Sequence, residues 1–86
     1  MGKYIRTYEV KNVQIDEIAN ELIEQYNGIF ESGEEYVEVV NESEYRQNNY
    51  DYFAHTENFN GVLKVYVLKN ENPDKVNLEI DVYEED

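Results

Sequence analysis

Two alternating runs most constrain what this 86-residue chain can fold into. Every second position in both runs is apolar: Leu63, Val65 and Val67 in the first, then Val76, Leu78, Ile80 and Val82 in the second. Residues 70–74, with the sequence Asn-Glu-Asn-Pro-Asp, separate the runs and are typical of a turn. Because a period of two places side chains on one face of a strand, the pattern predicts an antiparallel hairpin with one apolar face.

One segment has the period of an amphipathic helix. Its apolar residues recur at spacings of three and four: Ile15, Ile18, Ala19, Leu22, Ile23 and Tyr26. Asn12 or Asp16 is placed to cap the start, and Gly28 is placed to end the helix in a left-handed conformation. The spacing predicts a helix over about residues 14–27.

The remaining strands are predicted from β-branched and aromatic content, at residues 3–11 and 35–40. Residues 42–59 lack a clean period, and we favour a strand near 50–55 or a structured loop over a short helix beginning at Ser43. The apolar face of the hairpin needs a cover, and the helix has a matching stripe. We therefore predict an α+β two-layer sandwich, one helix on a three- to four-stranded, mostly antiparallel sheet, as a single domain spanning residues 1–86.

The net charge is −13, and most of it lies in one block. Residues 12–60 contain twelve acids against Arg46 alone, whereas the first eleven residues carry a net charge of +2. With 41% hydrophobic and 14% aromatic residues, the chain is too apolar for a disordered acidic tail. Self-repulsion of this size favours a role in solubility or in binding a basic partner.

Two rows of acids are predicted within this block. Glu17, Glu21 and Glu24 fall at i, i+4 and i+7 of the helix, and no lysine or arginine between residues 12 and 45 can pair with them. In an extended segment, even-numbered side chains share one face at a spacing of about 6.6–6.8 Å. That face carries Glu34, Tyr36, Glu38, Glu42 and Glu44, and the opposite one directs Val37 and Val39 to the core.

Nine tyrosines are the second unusual feature. Packing at sheet edges with the hydroxyl in water explains those in the predicted strands: Tyr4, Tyr8, Tyr66 and Tyr83. Those in or beside the acidic block are different, because a tyrosine can stack on an arginine that a neighbouring carboxylate also binds. The predicted partner-binding surface therefore adds four residues to the two acidic rows: Tyr45, Tyr50, Asp51 and Tyr52.

Catalysis is disfavoured by what the sequence lacks. There is no cysteine, His55 is the single histidine, and no Gly-rich phosphate loop or calcium-loop spacing is present. We predict no enzymatic activity, no cofactor and no metal site. Direct nucleic-acid binding is disfavoured by the acidity, and no apolar run is long enough for a membrane span. These absences favour a cytoplasmic protein.

In size, acidity, lack of cysteine and richness in tyrosine, asparagine and glutamate, the whole chain resembles the small acidic inhibitors of phages and mobile elements. These include anti-CRISPR and anti-restriction proteins that act as DNA mimics. The resemblance rests on size and composition, without a signature motif. It implies a non-enzymatic inhibitor that occupies the basic nucleic-acid-binding groove of a bacterial host effector: a nuclease, a CRISPR effector or a restriction enzyme. The mildly basic first strand departs from this pattern and should face away from the target.

Two other functions stay open. An immunity protein or antitoxin would use the same acidic surface to neutralise a basic toxin. A small structural α+β subunit would instead self-associate as a homodimer through the tyrosine-rich residues 45–59, with the charge serving solubility alone.

Overall fold

Strands dominate the part of the chain that the structure describes, and one helix accompanies them. The structure is a computed structural model, and it describes residues 2–31, 37–41, 49–58 and 60–84. In chain order the elements are β1 Lys3–Gln14, a 3₁₀ turn Ile15–Glu17, α1 Ile18–Phe30, β2 Glu38–Asn41, β3 Tyr52–His55, β4 Gly61–Lys69 and β5 Lys75–Glu84. The strands form one sheet in the order β1-β5-β4-β3-β2, and every neighbouring pair is antiparallel.

The sheet has five strands, so the prediction of three to four is wrong, although an α+β architecture is retained. The additional strand is β3, in the segment for which the sequence leaves a strand or a loop open. Ala54 of β3 is opposite Leu63, on the side of the core, and Phe53 is opposite Lys64, on the other side. Because aromatic side chains occupy both sides of β3, its hydrophobicity does not alternate, and the usual strand signal is missing.

The helix begins and ends later than predicted. Ile15–Glu17 form a 3₁₀ turn, and α1 continues through Gly28 to Phe30. The left-handed residue is Glu31, with φ 45° and ψ 39°, and neither Gln14 nor Glu17 makes a side-chain cap hydrogen bond. The extension has a packing reason, since it places the Phe30 ring 4.7 Å from the Tyr26 ring. Packing of Phe30 therefore outweighs the tendency of glycine to end a helix.

Strand β1 is longer than predicted and contains two irregularities. Its register against β5 shifts between Tyr4 and Arg6 and again between Val10 and Val13. In the second shift Asn12 has φ 60°, and its N–H donates to Asn77 Oδ1 at 3.1 Å. Such bulges, together with basic side chains, discourage pairing along the free edge of an outer strand.

The core lies between α1 and one face of the sheet. Its fully buried members come from the helix and the three central strands: Leu22, Tyr26, Ala54, Leu63, Val65, Leu78, Ile80 and Val82. The predicted apolar face of the β4–β5 hairpin is thereby confirmed. Two members of the predicted helix stripe are outside the core, because Ile15 is 52% exposed and Ala19 is exposed. Ile15 lies in the 3₁₀ turn, where the 3.6-residue period does not apply.

We call the sheet face away from α1 the outer face. The strand registers place on this face the paired residues that alternate with the core positions: Tyr4, Thr7, Glu9, Gln14, Glu38, Val40, Phe53, His55, Val62, Lys64, Tyr66, Leu68, Lys75, Asn77, Glu79, Asp81 and Tyr83. No helix or strand of the described residues covers this face.

Candidate binding surfaces

We call Glu17, Glu21 and Glu24 the acidic helix surface; Glu21 and Glu24 lie in α1, and Glu17 is the residue before it, at the end of the 3₁₀ turn. Glu17 and Glu24 are exposed, and Glu21 is half-buried. Amides contact these acids: Asn20 Nδ2 donates to Glu17 Oε2 at 2.8 Å, and Gln25 Nε2 donates to Glu21 Oε2 at 3.3 Å. Within the described ranges, no lysine or arginine forms an ion pair with any of the three. No base of the described residues therefore compensates their negative charge at close range.

The second acidic row is represented by Glu38. Its other predicted residues lie outside the described residues: Glu34, Tyr36, Glu42 and Glu44, with the neighbouring Tyr45. Val37 is buried and Val39 packs against the core, as predicted. Glu38 is on the outer face, where its Oε2 lies 3.2 Å from His55 Nε2. Glu38 and the acidic helix surface therefore point to opposite sides of the sheet and do not form one surface.

Tyr50, Asp51 and Tyr52 are adjacent in sequence but lie in three environments. Tyr50 stacks on Phe53 with ring centroids 5.9 Å apart. Asp51 extends the sheet ladder beyond β3, because its N–H donates to Val65 O at 2.8 Å and its Oδ2 accepts from Val67 N at 2.7 Å. Tyr52 packs against the core. Asp51 and Tyr52 therefore both have structural roles.

A cluster on the outer face is the main feature that the sequence analysis did not single out. The Lys64 ammonium lies 4.5 Å from the Tyr83 ring centroid and 5.6 Å from that of Tyr50. Tyr4 meets Tyr83 edge-on at 5.7 Å. The alternating polar positions of the hairpin predict that Lys64 and Tyr83 share a face, but only the strand register brings Tyr4 to them.

Acidic side chains on the same face contact its hydroxyl groups and affect the pKa of Tyr66. Asp81 Oδ1 accepts from Thr7 Oγ1 at 2.6 Å. Burial raises the pKa of Tyr66, and the nearby Asp81, Tyr83 and Glu79 raise it further, because a phenolate there would be repelled. The Tyr66 hydroxyl therefore stays protonated at neutral pH.

Tyr8 connects β1 to the helix. Its hydroxyl donates to Gln25 Oε1 at 2.9 Å, and the Arg6 guanidinium carbon lies 5.1 Å from its ring centroid. Burial raises the pKa of Tyr8 to about 12 from 10.0; Arg6 opposes this rise and Glu21 adds to it. The folded state therefore holds the Tyr8 proton more tightly than the unfolded state does.

The raised pKa of Tyr8 predicts a loss of stability in alkali. Its contribution is fully present below pH 10 and is lost as the pH rises towards about 12, because the unfolded chain ionises first. Solvent screening of this half-buried group reduces the effect to about 1 kcal/mol. Urea unfolding of wild type and Tyr8→Phe at pH 9 and 11.5 measures it. We expect the wild type to lose about 1 kcal/mol more than the variant; equal losses would contradict the assignment.

Other chemical possibilities are few. A surface cleft of about 510 Å³ beside the start of the helix is lined by Gln14, Ile15, Asp16, Asn72, Asp74 and Lys75. No group of three His, Asp or Glu side chains among the described residues is placed to hold a metal ion. In the same part of the chain, no helix is long and apolar enough to cross a membrane. The absence of enzymatic activity stays a prediction.

Comparison with known proteins gave no match to a family model, to a curated protein or to a solved structure.

Proposed function

We propose that this chain is a non-enzymatic inhibitor that binds the basic nucleic-acid-binding groove of a bacterial effector, such as a nuclease. One observation carries the proposal: the acidic helix surface presents three carboxylates that no lysine or arginine of the described residues neutralises. Each like-charge pair at this spacing costs a few tenths of a kcal/mol in an isolated helix. A basic partner removes that repulsion on binding, so the arrangement favours association with cations.

The electrostatics explain both speed and salt dependence. A groove that binds phosphates has a positive potential, which accelerates the encounter with a fixed row of carboxylates. Screening limits this attraction to about 8 Å at physiological salt and about 3 Å at 1 M. The complex should therefore form rapidly at low salt and dissociate in a high-salt wash.

The predicted test compares two double variants of equal net charge. Glu17→Gln/Glu24→Gln changes the acidic helix surface, and Glu57→Gln/Glu84→Gln removes two exposed acids elsewhere. At about 50 mM NaCl we expect the helix variant to associate roughly tenfold more slowly with the target and the control variant less than twofold more slowly. Stopped-flow or surface plasmon resonance measures the rates.

The target must first be captured from bacterial lysate on the tagged protein at low salt and recovered in a 0.5 M salt wash. We expect a nucleic-acid-binding protein whose DNA binding is lost at a 1:1 ratio with the chain. If both double variants slow association equally, the helix is not part of the interface. Retention of DNA binding by the captured protein at excess inhibitor would contradict the proposed function itself.

A further inference from the structure

The outer face has the composition of an interface rather than of an ordinary solvated sheet. Aromatic and apolar side chains occupy it on every strand, and they include Tyr4, Val40, Phe53, Tyr66, Leu68 and Tyr83. Tyr4 is 53% exposed and Leu68 is 36% exposed. Tyrosines on a flat surface contribute strongly to interface cores because they combine a large apolar area with a hydrogen-bonding group.

Charge distinguishes this face from the rest of the molecule. Its described acids are Glu9, Glu38, Glu79 and Asp81, and its bases are Lys64 and Lys75. Lys11, at the second irregularity of β1, pairs with Glu9 at 3.7 Å. Four acids against two bases give a net charge of −2, in a chain whose total is −13. The outer face is therefore poorly suited to a strongly basic partner. It is also a surface on which two equally acidic molecules can meet with little local repulsion.

The projected area of the sheet approaches the area that a specific contact buries. The strands contain 12, 4, 4, 9 and 10 residues in chain order. At about 3.3 Å per residue and about 4.8 Å between strands, the sheet covers roughly 600 Å² before the relief of its side chains is counted. Stable interfaces bury about 800 Å² per partner, and two sheets pack face to face at a separation of about 10 Å.

We propose that the outer face binds a second copy of this chain, and that the two sheets pack on each other with both helices outside. This dimer is independent of the proposed inhibitory function. It buries the tyrosine-bearing surface and leaves both acidic helix surfaces free. It also places Lys64 of each copy near the centre of an interface that contains carboxylates of the other, since Asp81 and Glu79 lie on the neighbouring strand.

The dependence on salt concentration distinguishes this dimer contact from binding to a basic partner. Two molecules of charge −13 repel each other outside the interface, so screening should tighten the dimer. Sedimentation equilibrium or light scattering over 10 µM to 0.5 mM protein measures the mass. We expect about 21 kDa, twice 10.3 kDa, with a lower dissociation constant in 1 M than in 0.1 M NaCl.

Three variants with the same change in charge locate the interface. Tyr66→Glu adds a carboxylate in the central strand of the outer face, and Leu68→Glu does so at a more exposed position. Asn20→Glu adds one on the exposed side of α1. We expect both outer-face variants to raise the dissociation constant about 30-fold or more, and Asn20→Glu to leave it within about threefold.

Circular dichroism shows whether each variant folds, and Leu68→Glu decides the result if Tyr66→Glu does not. A wild-type monomer at 0.5 mM in 1 M NaCl would overturn the proposal and leave the face to another occupant. A dimer that survives both outer-face variants would place the contact elsewhere and would equally overturn it.

Discussion

Replacing Tyr26 with alanine is expected to lower the free energy of unfolding by about 3–5 kcal/mol. Tyr26 is 0% exposed, its ring contacts Phe30, and its hydroxyl donates to Gly61 O at 2.8 Å. The residue therefore joins the end of the helix to the start of β4. A domain of 86 residues has a total stability of roughly 4–13 kcal/mol, so the substitution removes a large share of it.

Tyr26→Phe separates the ring from the hydroxyl. Thr56 is 1% exposed, and its Oγ1 lies 3.3 Å from the Tyr26 hydroxyl. Removing the hydroxyl leaves the Gly61 carbonyl and the Thr56 hydroxyl buried without this partner, which should cost about 1–3 kcal/mol. Urea unfolding at 25 °C measures both variants, with Ile15→Ala as the control for an exposed residue. Equal losses from Tyr26→Phe and Tyr26→Ala would contradict the assigned role of the ring.

Local periodicity explains the parts of the fold that the sequence predicts. The β4–β5 hairpin and the helix each bury one face, so their apolar residues recur at two and at three to four positions. Residues 70–74 add their own signal, because Asn70 Oδ1 accepts from Asn72 N and Asn72 Oδ1 accepts from Asp74 N. These features depend on neighbours in sequence, and a single chain displays them directly.

Features that depend on distant contacts are not visible in the same way. The helix passes Gly28 because Phe30 packs near β4, some thirty residues further along the chain. Strand β3 lacks alternation because the sheet face outside the core is itself aromatic. The bulge at Asn12 is supported by Asn77 and Asn70, whose side chains reach it from the far end of the hairpin. In each case, tertiary packing outweighs the local preference.

The binding surfaces also include parts that the local sequence predicts and parts that depend on distant contacts. The acidic helix surface follows in part from the period, since Glu21 and Glu24 lie three residues apart within α1, whereas Glu17 lies in the 3₁₀ turn before it. The local sequence does not predict the sheet face to which Glu38 points, because that face depends on which side of the sheet the helix covers. The outer-face cluster is harder still to predict from the sequence, since Tyr4 and Tyr83 become neighbours only through the pairing of the first and last strands. Non-local register, rather than composition, assembles the proposed dimer surface.

Gly61→Ala is expected to destabilise the fold by about 3 kcal/mol and to lower its melting temperature by more than about 10 °C. A Cβ at this position would collide with the Phe30 ring and would lie 2.7 Å from the Tyr83 carbonyl oxygen. The ring belongs to a packed side chain and the carbonyl to the neighbouring strand β5, so neither can move without disturbing the contact between helix and sheet.

The chain provides a matched control in Gly28, because a Cβ there would meet nothing within 4 Å. Since Gly28 lies inside α1, Gly28→Ala should stabilise the protein by about 0.5–1 kcal/mol through helix propensity alone. Adding Phe30→Leu to Gly61→Ala should recover part of the loss, but not all, because the Tyr83 carbonyl remains. Thermal unfolding of wild type, Gly61→Ala, Gly28→Ala and Gly61→Ala/Phe30→Leu measures these changes in stability. A Gly61→Ala variant as stable as wild type would show that the helix end is not held against β4 as described.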